Sequence, residues 1–309
     1  MRPSRFVGWG MPLAALVGTG AVAAVHVDSP PPAVAARPAL FAPRTSCSPG
    51  PQSQADLIEG PAGGHLSFPY EQAGEYREFF FTRAIYTGDG RRGEFYFGRG
   101  GGGWLGDGGP PWSIDYPTAD QHIVLVTRRL SNIDACQWEH PVALDDPELR
   151  RFPFLYSLEW GYADLTDVEV EGLRGYLEAG GFLMIDDFWG SQEWENFEYQ
   201  IGRVLPGRMI QEVPRDHLLF HIHYTIDGPI IQVPGAGGGR GRGGTSQRDG
   251  YEARVRGIFN DDGRLMVGIN WNTDLGDALE HAESPYYPLE YSTFASELFI
   301  NMIMYSLTS

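Results

Sequence analysis

The stretch from Thr166 to Gly190 restricts the possible fold more than any other part of this chain. Thr166, with Glu169 three residues on, is a capping box, in which the two side chains bond reciprocally to the backbone of a first helical turn. Val170, Leu173, Tyr176 and Leu177 follow at helical spacing. The Gly180-Gly181 pair stops the helix. Phe182-Leu183-Met184-Ile185 is then continuously apolar, as a strand covered on both faces must be. The run Phe152-Pro153-Phe154-Leu155-Tyr156-Ser157-Leu158 upstream has the same character. Strand, helix and strand in this short span predict a βαβ unit with a parallel pair and a right-handed crossover. Asp186-Asp187-Phe188-Trp189-Gly190 comes next, so polar groups are delivered to the carboxyl edge of a sheet, where α/β proteins bind their ligands.

Other elements are consistent with this frame. Glu78 to Tyr86 is a strand candidate ended by Thr87-Gly88-Asp89-Gly90. Tyr116-Pro117-Thr118-Ala119-Asp120 starts a helix, and Ile123, Val126, Leu130 and Ile133 keep its spacing, although Ile123-Val124-Leu125-Val126 also suits a strand. Pro141 to Leu144 and Met209 to Val213 read as short strands, and Trp194 to Ile201 as a helix. Val255 to Phe259 and Leu265 to Ile269 flank Asp261-Asp262-Gly263, which predicts a hairpin. Thr293 to Leu307 is a terminal helix. Residues 88–112 and 234–250 are Gly-rich insertions, expected to be mobile.

The domain expected over 77–309 stands behind a Pro/Gly/Ala-rich linker, 37–76, and an N-terminal targeting segment, 1–36. Arg2 and Arg5 precede an apolar run over 6–27, and small residues follow at Ala21-Val22-Ala23 and Ala33-Val34-Ala35-Ala36. That order predicts a signal peptide and export to the periplasm or another extracytoplasmic space, with an uncleaved membrane anchor as the alternative. Cys47 and Cys136 could bridge in an oxidising compartment, and their spacing fits no zinc site. All 23 basic residues are arginine. The lack of lysine excludes a P-loop and Schiff-base chemistry. A net charge of −17 argues against nucleic acid as a partner.

Several pieces together resemble a known family. They are Phe81-Thr82-Arg83-Ala84-Ile85-Tyr86, Pro153-Phe154-Leu155-Tyr156, Leu173-Arg174-Gly175-Tyr176-Leu177, the Gly180 to Gly190 segment, His217-Leu218-Leu219-Phe220, Asp262-Gly263-Arg264-Leu265-Met266-Val267 and Asn272-Thr273-Asp274-Leu275-Gly276-Asp277. In this order they look like the family called domain of unknown function 4159, over roughly Phe79 to Leu307. The resemblance implies an α/β fold: flavodoxin-like, similar to class I glutamine amidotransferases and trehalose-utilisation-like proteins. Such a fold has a mostly parallel sheet with helices on both faces, here with an added hairpin. Amidotransferases carry a cysteine on the sharp turn at or beside the position of Asp187. This chain has Asp-Asp there, which argues against glutamine hydrolysis, and the family brings no established activity.

Each candidate site residue has a structural alternative. Asp186 and Asp187 point to opposite faces if both are in a strand. One could ligate a cation or act as acid or base, or the pair could cap a helix and meet Arg83 or Arg128. Asn270, Asn272, Asp274 and Asp277 offer hard oxygen ligands to a divalent cation, or form an Asx-turn loop. Arg83 and Tyr86 could clamp an anionic or polyol ligand, and Glu159, Trp160 and Trp189 could line the same edge, the tryptophans stacking on a sugar or packing the rim. His217 could act with Asp187, whereas His221 and His223 would share one face of a strand. No cofactor is indicated, no metal ligand set is complete, and a divalent cation is compatible with the loop after Ile269. The function expected is a ligand-binding or non-catalytic envelope module for a small molecule or carbohydrate. The alternatives are a hydrolase acting through Asp187 and a structural partner in a membrane complex.

Overall fold

The helix–strand boundary at Gly180-Gly181 forms for a steric reason. Gly180 takes φ 104°, and a Cβ on Gly181 would lie 2.3 Å from the Tyr176 ring. The Tyr176 hydroxyl in turn bonds to the backbone of Phe182, which registers the helix on the strand it feeds. The computed structural model describes residues 47, 78–88, 110–235 and 244–309. Residues 1–36, all of 37–76 except Cys47, and most of the first insertion lie outside them.

In chain order the elements are β1 (Thr82–Ile85), α1 (Thr118–Leu130), β2 (His140–Ala143), β3 (Phe154–Leu158), α2 (Asp167–Glu178), β4 (Phe182–Asp186) and α3 (Gly190–Val204). These are followed by β5 (Ile210–Glu212), β6 (Arg254–Phe259), β7 (Leu265–Trp271), α4 (Leu275–Glu280) and α5 (Leu289–Thr308). The strands form one seven-stranded sheet in the order β2-β1-β3-β4-β7-β6-β5. β2, β1, β3, β4 and β7 run parallel to one another, and β6 is antiparallel to both β7 and β5. The parallel part follows the flavodoxin-like order, with its reversal between β1 and β3. The β6–β7 hairpin is the addition the turn at Asp261-Asp262-Gly263 predicts.

Strand alternation sorts the core into two layers. Leu155, Leu183 and Ile185 face α2 and α3. Phe154, Tyr156, Phe182 and Met184 face α1, α4 and α5. The capping box of Thr166 and Glu169 is present at the start of α2.

Of the two readings open for the chain from 118 to 130, the helix is the one formed. Three details differ from the sequence reading. α3 begins at Gly190, ahead of Trp194, because the strand-end turn leads directly into it. The loop after β7 contains the short helix α4, capped by Asp274 through a bond from the Asp277 N–H of 2.8 Å. His221 and His223 lie in turns after a 3₁₀ segment, Leu218–Phe220, and bond to the carbonyls of Arg215 and Leu130, so no strand aligns them. Cys47 and Cys136 are bridged.

Candidate functional site at the carboxyl edge

Three of the parallel strands end in sharp turns of one kind. Glu159 after β3, Asp187 after β4 and Asn272 after β7 have φ of 55°, 48° and 60°. Asp115, before α1, has φ 59°, and Arg248 has φ 52°. Among the described residues these five are the only non-glycine residues at positive φ. Each such position costs on the order of 1–3 kcal/mol, and such strain gathers at functional sites.

The turns place carboxylates in one buried nest. Oxygens of Asp115, Asp187 and Asp274 lie within 4.8 Å of one another. All three residues are buried, as are Glu159, Asp186, Glu193 and Asp277 around them. Asp187 Oδ1 accepts from the Trp189 indole N–H at 2.9 Å. Asp186 continues the face of Phe182 and Met184, so it points beneath α4. Its Oδ2 accepts from Leu275 N–H at 2.9 Å, Gly276 N–H at 3.0 Å and the Tyr156 hydroxyl at 3.2 Å.

Crowding of acids in a dry site favours protonation. Burial lifts the Asp187 carboxyl to about 6, against the pull of bonds from Trp189, Glu159 and Asp274. Asp115 is pushed well above the ordinary range by burial, then by Asp277 and Asp187. Asp274 and Glu159 are raised in the same way, burial first and Asp187 next. Glu193 is lifted to about 7 by burial, and Arg248 opposes this.

Nearby basic groups are committed elsewhere. Arg83 does not meet Asp186 or Asp187. It is wholly buried and bonds Asp120 in the first turn of α1, with Nη1 on the carbonyls of Trp112 and Ile114, both at 3.0 Å. Its guanidinium therefore holds the segment that carries Asp115 and does not face the crevice. Arg248 Nε meets Glu193 at 2.7 Å, and His281 lies 3.4 Å from Asp277. The end of the second insertion crosses the site here: Asp249 accepts from Ser191 N–H at 2.9 Å and from its hydroxyl at 2.6 Å. The described ends of both insertions are packed, since Trp112, Val233, Pro234 and Gly235 are buried.

Other expected ligand groups act as backbone pegs. The Tyr86 hydroxyl donates to the carbonyls of Leu158 and Glu159, at 2.6 and 3.2 Å, which fixes the turn after β3. Asn272 is used twice: Oδ1 accepts from Gly190 N–H at 2.8 Å, and Nδ2 donates to Glu252 O at 2.9 Å. Trp160 and Trp189 are buried, which leaves no ring face open to a sugar. His217 is nowhere near Asp187. It packs edge-on against Phe259 and tilted against Tyr305, and Phe259 pairs with Leu265 at the opposite end of β7 from Asn272. Its Nδ1 accepts from Leu219 N–H at 3.2 Å.

Of the residues expected at this edge, the structure brings together Asp186, Asp187, Glu159, Asp274 and Asp277. Asp115 and Glu193 were not foreseen. Asp115 precedes an expected helix start and Glu193 sits in a first helical turn, so each had an ordinary capping explanation.

The family model described as domain of unknown function (DUF4159) matches residues 104–307. The chain belongs to this family. The match spans every strand from β2 on, together with Asp115, so every carboxylate of the nest lies within the DUF4159 domain. No curated protein matches the chain.

Proposed function

We propose that this protein is a ligand-binding module of the cell envelope, and that its DUF4159 domain receives a small polar ligand at the carboxyl edge of β3, β4 and β7. The observation that carries this reading is the buried nest of Asp115, Asp187 and Asp274, two of which are held at positive φ, with Glu159 at positive φ on the neighbouring strand end. A stable fold gains nothing from that arrangement, because strain and repulsion both oppose it. A role without a cysteine nucleophile is supported by the Cys47–Cys136 bridge, which occupies both thiols, and by Asp187 on the turn where an amidotransferase would carry its cysteine. The bridge also suits an exported protein.

The test is a thermal-shift screen of extensively dialysed full-length protein against sugars, polyols, anions and cations. A shift that is lost in Asp187→Asn is expected. Melting points that no compound moves would refute the reading.

One observation favours a second reading, a hydrolase acting through Asp187. A carboxyl near 6 with Glu159 against it suits general acid–base work near neutral pH. His217 takes no part in that chemistry. Turnover of a glycoside or ester panel that disappears in Asp187→Asn would favour this reading over simple binding.

A further inference from the structure

The nest has an unmet electrostatic demand, and its chemistry specifies what meets it. We infer that Asp115, Asp187 and Asp274 form a binding site for a divalent cation of calcium type. This rests on the carboxyl edge being the binding site and names the ligand that site takes.

The three carboxylates come from three separate stretches of chain: the turn before α1, the turn after β4 and the cap of α4. Among the described residues none of them is paired with a basic side chain. Asp186, beneath α4, has three donors on Oδ2 and none among the described residues on Oδ1, whereas Asp187 has the Trp189 indole N–H and Asp274 has the Asp277 N–H. Asp115 Oδ2 is the second, independent sign. Among the described residues it has no hydrogen-bond partner, and Asp115 is only 6% exposed. It lies over Gly276, where a Cβ would meet it at 2.6 Å, so the absence of a side chain there leaves room for the carboxylate.

Donor type and spacing select the ion. An all-carboxylate set suits a hard cation, not zinc or copper. Three carboxylate oxygens within 4.8 Å of one another are close enough to share one hard cation. A buried, all-protein set of carboxylates suits Ca²⁺, because Mg²⁺ dehydrates reluctantly and usually keeps several waters.

The Trp189 indole bonded to Asp187 provides a local reporter, because Tb³⁺ replaces Ca²⁺ in oxygen sites and its emission is sensitised by an adjacent indole. Full-length protein stripped with a chelator and dialysed would be titrated with Tb³⁺, then competed with Ca²⁺ and with Mg²⁺. Sensitised emission displaced by Ca²⁺ at lower concentration than by Mg²⁺ is expected, with a Ca²⁺-dependent rise in melting temperature. Asp115→Asn and Asp274→Asn should each weaken Ca²⁺ by about tenfold or more. Trp189→Phe should lose most of the emission and keep the Ca²⁺-dependent melting shift. The apo melting temperature of each variant separates lost binding from lost folding, and the wild-type competition does not depend on any variant. No sensitised emission, or equal Ca²⁺ affinity in the folded Asn variants, overturns the cation site. A sugar or anion response without a cation response would overturn the site and leave the ligand-binding reading standing. A cation response without an organic ligand would support the site and confine the wider reading to cation binding.

Discussion

Replacing Arg83 by Met should be among the most damaging single changes outside the nest. Arg83 and Asp120 are both fully buried, so the substitution leaves a carboxylate in a dry environment with no counter-charge. Burial already raises the Asp120 carboxyl, even with the guanidinium beside it. Removing one partner of such a pair costs about 3–5 kcal/mol. The carbonyls of Trp112 and Ile114 lose their donor as well, so the upper part of that range is expected. With a urea m-value near 3 kcal/mol/M for a domain of this size, the midpoint should fall by about 1–1.7 M. Asp120→Leu alone should be similarly costly. The double variant Arg83→Met/Asp120→Leu should cost well under the sum, because no charge is left stranded. Urea unfolding followed by fluorescence measures all three. A midpoint change below about 0.3 M for Arg83→Met, or strict additivity in the double variant, would refute the claim that this pair ties the Asp115 segment to β1.

Three further outcomes follow from the same contacts. Glu193, lifted from 4.5 to about 7, binds a proton in the folded state that it has released in the unfolded state between those values, so its contribution is present at low pH and lost as pH rises through about 7. Cation-free protein should therefore be less stable at pH 8 than at pH 5, and Glu193→Gln, whose neighbours are Arg248, Tyr162 and the Trp189 N–H, should reduce that difference by about 3 kcal/mol in urea melts at the two pH values. Gly181→Ala forces a methyl against the Tyr176 ring and should destabilise by about 1–3 kcal/mol in the same assay. Reducing the Cys47–Cys136 bridge, which spans a separation of 89 residues, should lower stability by about 4–5 kcal/mol, read as a fall in melting temperature on adding a phosphine reductant.

The elements that could be read from the chain are those that local chemistry decides. The Thr166–Glu169 box, the Gly180-Gly181 stop and the apolar run to Ile185 each act within a few residues, and together they require a parallel pair. Placing Asp186 and Asp187 at a carboxyl edge followed from that pair alone. The identity of their companions did not, because it depends on sheet order. Arg83 and Asp187 both end up buried near the same edge, yet the arginine finds Asp120 in the first turn of α1, a contact that neither stretch announces. His217 is the converse case: a histidine beside an apolar run looks like a candidate partner for Asp187, but in the fold it packs on Phe259 and Tyr305, at the far end of β7. Asp115 was missed because an acidic residue before a helix normally needs no explanation beyond the helix itself. Its left-handed backbone and, among the described residues, its unpartnered Oδ2 belong to the folded chain and are announced by no local motif. A carboxylate's local role can be inferred from its neighbours in sequence, but mutual repulsion between carboxylates exists only once the fold has brought them together. The demand for a cation is therefore a property of the sheet order and of no single motif.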